Sequence, residues 1–193
     1  MELVFATHNP NKLSEVQLLM PKRITLLSLD AIGCTAEIAE TSETLEGNAK
    51  LKADYVSEHY GMACFADDTG LLVDSLKGAP GVFSARYAGE QKNADDNMNK
   101  LLDALRNEEN RSAHFKTIIA LNLPQEKHIF EGIVKGTIIR QKLGNEGFGY
   151  DPIFRPEGYH ETFAQLSTDL KNQISHRGKA FQKLILKLRT TEF

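Results

Sequence analysis

Two long runs rich in β-branched and aromatic residues, Ala113–Leu123 and His128–Ile139, stand almost back to back, separated only by Pro124–Lys127. Runs of this kind read as strands, and a short polar connection between them makes a hairpin. A hairpin this long argues against a purely parallel, doubly wound sheet, in which helices cross over between strands. The chain before it nevertheless alternates. Leu3–Ala6 reads as a short buried strand. Asn9 and Pro10 then suit an N-cap and the first helical position, ahead of an apolar stripe at Leu13, Val16, Leu19 and Met20. Ile24–Leu29 is a second strand. Leu45, Ala49, Ala53, Val56 and Tyr60 recur at helical spacing, with Gly61 as the stop.

Met62–Ala66 is a further short strand that runs into Asp67, Asp68, Thr69 and Gly70, with Leu71–Val73 still extended. Lys77–Arg86 reads as a loop rich in glycine and proline, and Met98, Leu101, Leu102 and Leu105 mark a third helix. After the hairpin, Gly144–Pro152 is a second glycine-rich loop. Ser175 caps a last helix whose Ala180, Phe181, Leu184, Ile185 and Leu188 face the core. The order β-α-β-α-β, helix, hairpin, helix implies a mixed α/β sheet covered by helices. No internal repeat or linker interrupts the 193 residues, so a single domain over 1–193 is expected.

Composition narrows the function classes. A net charge of −3 without a basic patch argues against a duplex-nucleic-acid binder, which neutralises phosphates with Lys and Arg. Cys34 and Cys64 make neither a disulfide framework nor a metal knuckle. Uncharged stretches stop at nine residues, against the roughly 20 needed to span a bilayer. Met1 to Ala6 lacks the basic start of a secretory signal, so the expectation is a cytoplasmic enzyme with no membrane partner.

Four constellations could carry chemistry, and each has a plainer reading. Thr7, His8, Asn9 and Lys12 lie where a strand feeds a helix N-terminus, a natural phosphate site that could equally be a capped turn. Asp67 and Asp68 are adjacent carboxylates at the end of an apolar strand, which a divalent cation would neutralise; magnesium, which prefers carboxylate oxygen, water and phosphate, suits them. Asp, Thr and Gly also favour ordinary turns. Phe148 lies between Gly147 and Gly149, followed by Tyr150 and Asp151, a loop able to offer a ring to a nucleobase or to tuck it into the core. His176 and Arg177 follow Ser175 at a helix start, with Lys171 one turn upstream; as donors they favour a carbonyl acceptor, and otherwise they are an exposed helix end. Lys52, within the second helix, reads as a surface lysine by default, and Glu40 as a solvated carboxylate.

Taken together and in order, these pieces resemble the inosine triphosphate pyrophosphatases, also described as dITP/XTP pyrophosphatases. The matching segments are T-H-N-P-N-K (7–12), E-T (40–41), N-A-K-L-K (48–52), A-D-D-T-G-L (66–71), G-A-P-G-V-F-S-A-R (78–86), G-F-G-Y-D-P-I-F (147–154) and I-S-H-R-G (174–178), spread over essentially the whole chain. The resemblance implies an elongated mixed α/β fold of two lobes with a substrate cleft, a homodimer, and magnesium as cofactor. It implies that Thr7, His8, Asn9 and Lys12 form the triphosphate loop and that Lys52 is a second phosphate ligand. Glu40, Asp67 and Asp68 would be the metal carboxylates, with Asp68 also the proton acceptor for the attacking water. Thr69 stands where the family has serine and keeps the hydroxyl; His8 stands where a small residue is common. Phe148, Gly149, Tyr150 and Asp151 would position the base, with Lys171, His176 and Arg177 as the remaining contacts to nucleotide and base, and Lys171 would join Lys12 and Lys52 in offsetting charge on the phosphate chain.

The implied reaction is attack of water within a nucleoside triphosphate, releasing monophosphate and pyrophosphate. Two other readings are a related pyrophosphatase for modified pyrimidine nucleotides and a non-catalytic nucleotide-binding regulator. The His-Arg pair and the G-F-G-Y-D loop argue against the first, and Glu40 with the Asp67–Asp68 pair against the second.

Overall fold

The computed structural model describes residues 2–8 and 10–190, the side chains of 10, 11, 14, 15 and 18 apart. The strands are β1 (Glu2–Phe5), β2 (Thr25–Leu27), β3 (Cys64–Val73), β4 (Ser112–Asn122), β5 (Lys127–Ile138) and β6 (Phe154–Pro156). The helices are α1 (Pro10–Leu19), α2 (Leu45–Tyr60), α3 (Ala94–Ala104), α4 (Thr168–Ile174) and α5 (His176–Thr190). One six-stranded sheet has the order β2-β1-β3-β4-β5-β6. β1 is parallel to β2 and to β3, while β6 is antiparallel to β5, so the sheet is mixed, as the hairpin requires.

By internal contacts the chain divides into two compact units, each assembled from separated segments. The first holds residues 1–68, 118–131 and 180–193; the second holds 69–117 and 132–179. The first unit's core gathers Leu3 and Phe5 of β1, Val16 of α1, Phe65 of β3 and Phe181 of α5, with Phe5 and Phe65 stacked at 4.5 Å between centroids. The second unit's core is built from Leu71, Leu101, Phe115, Ile138, Phe154 and Phe163. There Arg111 is buried and donates to the carbonyls of Leu105, Ile138 and Ile139 at 2.6, 2.7 and 3.2 Å, which ties the end of α3 to both strands of the hairpin.

Local chemistry explains the boundaries. Thr44 caps α2 by accepting from Gly47 N–H, and Gly61 ends that helix at φ 65, a left-handed conformation that suits glycine. β2 is shorter than the expected Ile24–Leu29, because it pairs with β1 over three residues only and the chain then turns into a 3-10 segment at Asp30–Ile32. Leu19 is 47% exposed and drops out of the expected stripe, while Val16 and Met20 are buried. The expected cap at Asn9 lies outside the described residues. The expected loop 77–86 contains a 3-10 segment at Gly81–Arg86. β6 and α4 were not anticipated: one is a three-residue strand ending in proline, the other a seven-residue polar helix.

One edge needs covering. β6 pairs with β5 at Gly136–Ile138, so among the described residues the carbonyls earlier in β5 on that side face no strand. Lys179 and Lys183 of α5, one turn apart, donate to Ile133 O and Glu131 O at 3.0 and 2.7 Å.

Candidate active site

The alternation of β3 decides how the two adjacent aspartates are used. Successive strand residues point to opposite faces. Phe65 packs in the core with α1 and α5, and Asp67, two residues on, receives Lys12 of α1 at 3.0 and 3.1 Å on its two oxygens. Cys64 takes the other parity and donates its thiol hydrogen to Ala53 O of α2 at 3.1 Å. Asp68 shares that parity and meets Lys52 of α2 at 3.6 Å. The pair therefore does not sit at a strand end as expected: both residues lie within the ten-residue β3, and each carboxylate is matched with a lysine from a different helix.

Lys52 also donates to Glu40 at 2.6 Å, and its side chain is only 13% exposed, far from the default surface lysine. Asn48 stands one turn before Lys52 on the same helical face. It is buried and accepts Ser42 N–H at 2.9 Å, and its side-chain amide works against the rise that burial imposes on the Asp68 carboxyl. Spacing alone does not give Asn48 this place beside Lys52; the available signal is a polar residue between the apolar positions Leu45 and Ala49.

The electrostatics of this cluster are strained. Burial pushes the Asp68 carboxyl up to about 6, with Glu40 and Asp67 adding to the rise and Lys52 opposing it. Burial pulls the Lys52 ammonium down, but the charges of Asp68, Asp67 and Glu40 outweigh that and hold it above the ordinary lysine value. Asp68 Oδ2 is buried without a hydrogen-bond partner. Among the described residues no three acidic, histidine or cysteine groups converge as a ready-made metal cage. Magnesium does not need one, since it binds through one or two carboxylates and completes its shell with water and phosphate. The orphaned oxygen of Asp68, beside Glu40 and Asp67, fits such a cation.

In the strand-to-helix loop, Thr7 N–H donates to Phe5 O at 2.7 Å. His8 turns its ring to Asp30 and to Ala36 O, at 3.0 and 3.1 Å, so both of its nitrogens face acceptors. Asn9 lies outside the described residues.

The second unit assembles a different cluster. Phe148 is 63% exposed, and the Lys171 ammonium and Arg177 guanidinium stand 4.9 and 5.4 Å from its ring centroid. Asp151 is buried, accepts Phe148 N–H at 2.8 Å and receives Lys171. Gly147 adopts φ +78, and a Cβ there would collide with the Asp151 carboxylate, so the loop requires glycine on two counts. Gly149 is also left-handed, at φ +64. His176 is buried and stacked on Phe115 at 4.6 Å. Ser175 caps α5 by accepting Gly178 N–H at 3.1 Å. Tyr150, by contrast, is buried, and its hydroxyl donates to Ser84 O at 3.0 Å, so of the two rings it is Phe148 that faces outward. Thr69 bonds the hydroxyl of Thr117 at 2.7 Å, a partner that residue types alone could not reveal.

The expected residues thus fall into two groups: Lys12, Glu40, Lys52, Asp67 and Asp68 in the first unit, and Phe148, Asp151, Lys171, His176 and Arg177 in the second. A separate cavity of about 930 Å³ in the second unit, lined by Asp74, His114, Lys135, Arg155, Tyr159 and His160, contains none of them. Among the described residues no helix is long and apolar enough to cross a membrane.

Residues 3–187 match the model of the Ham1 family. The chain is 61% identical over 192 residues to a dITP/XTP pyrophosphatase of Flavobacterium johnsoniae, covering all of both chains. It is 45% identical to the dITP/XTP pyrophosphatase of Bacillus subtilis, over 95% of this chain and 94% of the relative. Among solved structures, a HAM1 protein from Coxiella burnetii superposes with a TM-score of 0.94 at 37% identity, covering 99% of this chain and 100% of that one. The Ham1 protein of Staphylococcus aureus gives 0.93 at 38% identity, with 98% of each chain covered.

Proposed function

The chain belongs to the Ham1 family, and from that premise we propose that it hydrolyses the non-standard purine nucleoside triphosphates ITP, dITP and XTP to the monophosphate and pyrophosphate. The observation that carries the proposal is Asp68. A half-buried carboxylate pushed to about 6, with one oxygen buried and unpartnered and two ammoniums among its neighbours and those of Asp67, is suited to hold an attacking water near neutral pH.

In this reading Lys12 and Lys52 exchange their carboxylate partners for phosphate oxygens. Preorganised cations of that kind usually supply the largest catalytic contribution in phosphoryl chemistry. Asp68, ionised above about pH 6, orients the water and takes its proton. Glu40, Asp67 and Asp68 would hold magnesium, which neutralises phosphate charge when bound. Lys171, held by Asp151 beside Phe148, belongs with the base-recognition group rather than with the phosphate lysines.

Base choice follows from donors. Arg177 is charged at any working pH and can only donate, so it favours the keto oxygen of hypoxanthine or xanthine over the amino group of adenine. Phe148 supplies the exposed ring face for the base.

One experiment tests both halves. Wild type and Arg177→Ala are assayed on ITP, XTP, GTP and ATP with magnesium, and products are followed by phosphorus NMR. The expected first products from ITP are IMP and pyrophosphate; IDP with orthophosphate would reject the mechanism. The variant should lose about ten- to 150-fold in kcat/KM on ITP, the effect of a charge-assisted contact of about 1.5–3 kcal/mol, and far less on ATP. An unchanged ITP/ATP ratio would remove Arg177 from base readout.

A further inference from the structure

We propose that His8 is a positioning residue: as an imidazolium it clasps the loop carrying Thr7 and Lys12 to the connector carrying Glu40, and so sets the affinity for the triphosphate. The substrate half of this inference rests on the function proposed above; the clasp itself rests on geometry.

Nδ1 of His8 lies 3.0 Å from Asp30 Oδ1, and Nε2 lies 3.1 Å from Ala36 O. A carboxylate and a carbonyl can only accept. A neutral imidazole has a single N–H, so both contacts are hydrogen bonds only in the doubly protonated ring. Asp30 belongs to the 3-10 segment after β2, and Ala36 to the stretch leading from it to Glu40. Beyond Leu27, where the pairing of β1 with β2 ends, Leu29 N–H reaches Thr7 O at 3.4 Å, and the clasp adds contacts from the same loop to the 3-10 segment and to the connector.

The surroundings favour the charged form. The Ala36 carbonyl raises the His8 pKa most; burial works against it, and Asp30 and Glu37 add to the rise. Glu37 faces it from the connector and Asp30 from the 3-10 segment, while on its own segment Lys12 is held by Asp67. The direction is fixed by these acceptors: the clasp is closed at acid pH and loses one of its two bonds as pH rises through the histidine's raised pKa. The ring is 40% exposed, so the effect is modest, about two- to tenfold.

The test compares wild type, His8→Gln and Asp30→Asn, measuring kcat and KM for ITP from about pH 6 to about pH 9, a window that brackets histidine titration. The ratio of wild type to His8→Gln cancels the titration of every other group. KM is expected to be about two- to tenfold lower in wild type at the acid end, converging with the variant at the alkaline end, while the kcat ratio stays flat. Asp30→Asn should raise KM at the acid end and move the rise of KM with pH to lower pH than in wild type, a comparison with wild type that carries the test alone if His8→Gln does not fold; KM profiles of wild type and Asp30→Asn that superpose would overturn the proposal. A ratio constant across pH would overturn the proposal. Hydrogen exchange of the 30–38 segment, compared between wild type and His8→Gln at matched pH, reads the clasp without any substrate. Slower exchange in wild type at the acid end only supports the clasp even if ITP is not hydrolysed, and no contrast overturns it whatever the activity.

Discussion

The sharpest residue-scale consequence belongs to Asp68. Its carboxyl titrates at about 6 in the folded chain, against roughly 4 in an unfolded one. The folded state holds this proton more tightly, so the ionised form is destabilising. That penalty is fully present above about pH 6 and absent below about pH 4, and metal-free stability falls as pH rises between them. Asp68→Asn should therefore abolish turnover yet raise the melting temperature of the chelated protein by a few degrees at about pH 8, on the order of 1–3 kcal/mol, with no gain at about pH 4. Paired calorimetric melts at the two pH values check this; a variant less stable than wild type at the higher pH would mean that Lys52 and Asn48 depend on the charge more than the fold suffers from it. Much of this site was readable as residue types, but not as partnerships. That Asp67 belongs to Lys12 and Asp68 to Lys52 depends on strand parity and on which helix covers which face.

At the scale of elements, α5 does two jobs. Its apolar stripe, Ala180, Phe181, Leu184 and Leu188, was legible from spacing and is buried as expected. Helical spacing assigns its lysines no partners, and Lys179 and Lys183 donate to carbonyls on the uncovered side of β5. Unpaired strand edges invite pairing with other chains, and lysine is a common guard against it. The double change Lys179→Ala/Lys183→Ala should leave the sheet intact and lower stability by about 1–2 kcal/mol, but raise aggregation on heating, seen as light scattering at a lower onset temperature. Lys187→Ala is the contrast, because Lys187 bonds the Glu126 side chain instead of an edge carbonyl. Equal aggregation in both variants would assign the effect to lost charge. β6 and α4 escaped the sequence reading for the opposite reason: each is too short for periodicity to register, and their places are set by tertiary pairing.

For the whole molecule, the interleaving of the two units bears on folding. β3 begins in the first unit and ends in the second, and β4 runs the other way. Neither unit corresponds to a continuous stretch of sequence, so the 193 residues are expected to unfold as one cooperative domain. The chain has no tryptophan, but its five tyrosines are divided, Tyr55 and Tyr60 in the first unit and Tyr87, Tyr150 and Tyr159 in the second. Near-ultraviolet and far-ultraviolet melts should coincide, with calorimetric and van't Hoff enthalpies equal; two separated transitions would show autonomous units. The long hairpin made the mixed sheet legible in advance, while the division within β3 was not, because nothing in C-F-A-D-D-T-G-L-L-V marks a boundary. That strand also bears on how such a gene can change. One extra codon anywhere between Cys64 and Asp67 would exchange the addresses of the two carboxylates, sending each to the helix that holds the other's lysine. Substitutions in this strand can be tried by evolution singly and repaired by a neighbour. A change of length by one cannot, so lineages that keep the activity should vary the spelling of the strand far more readily than its count.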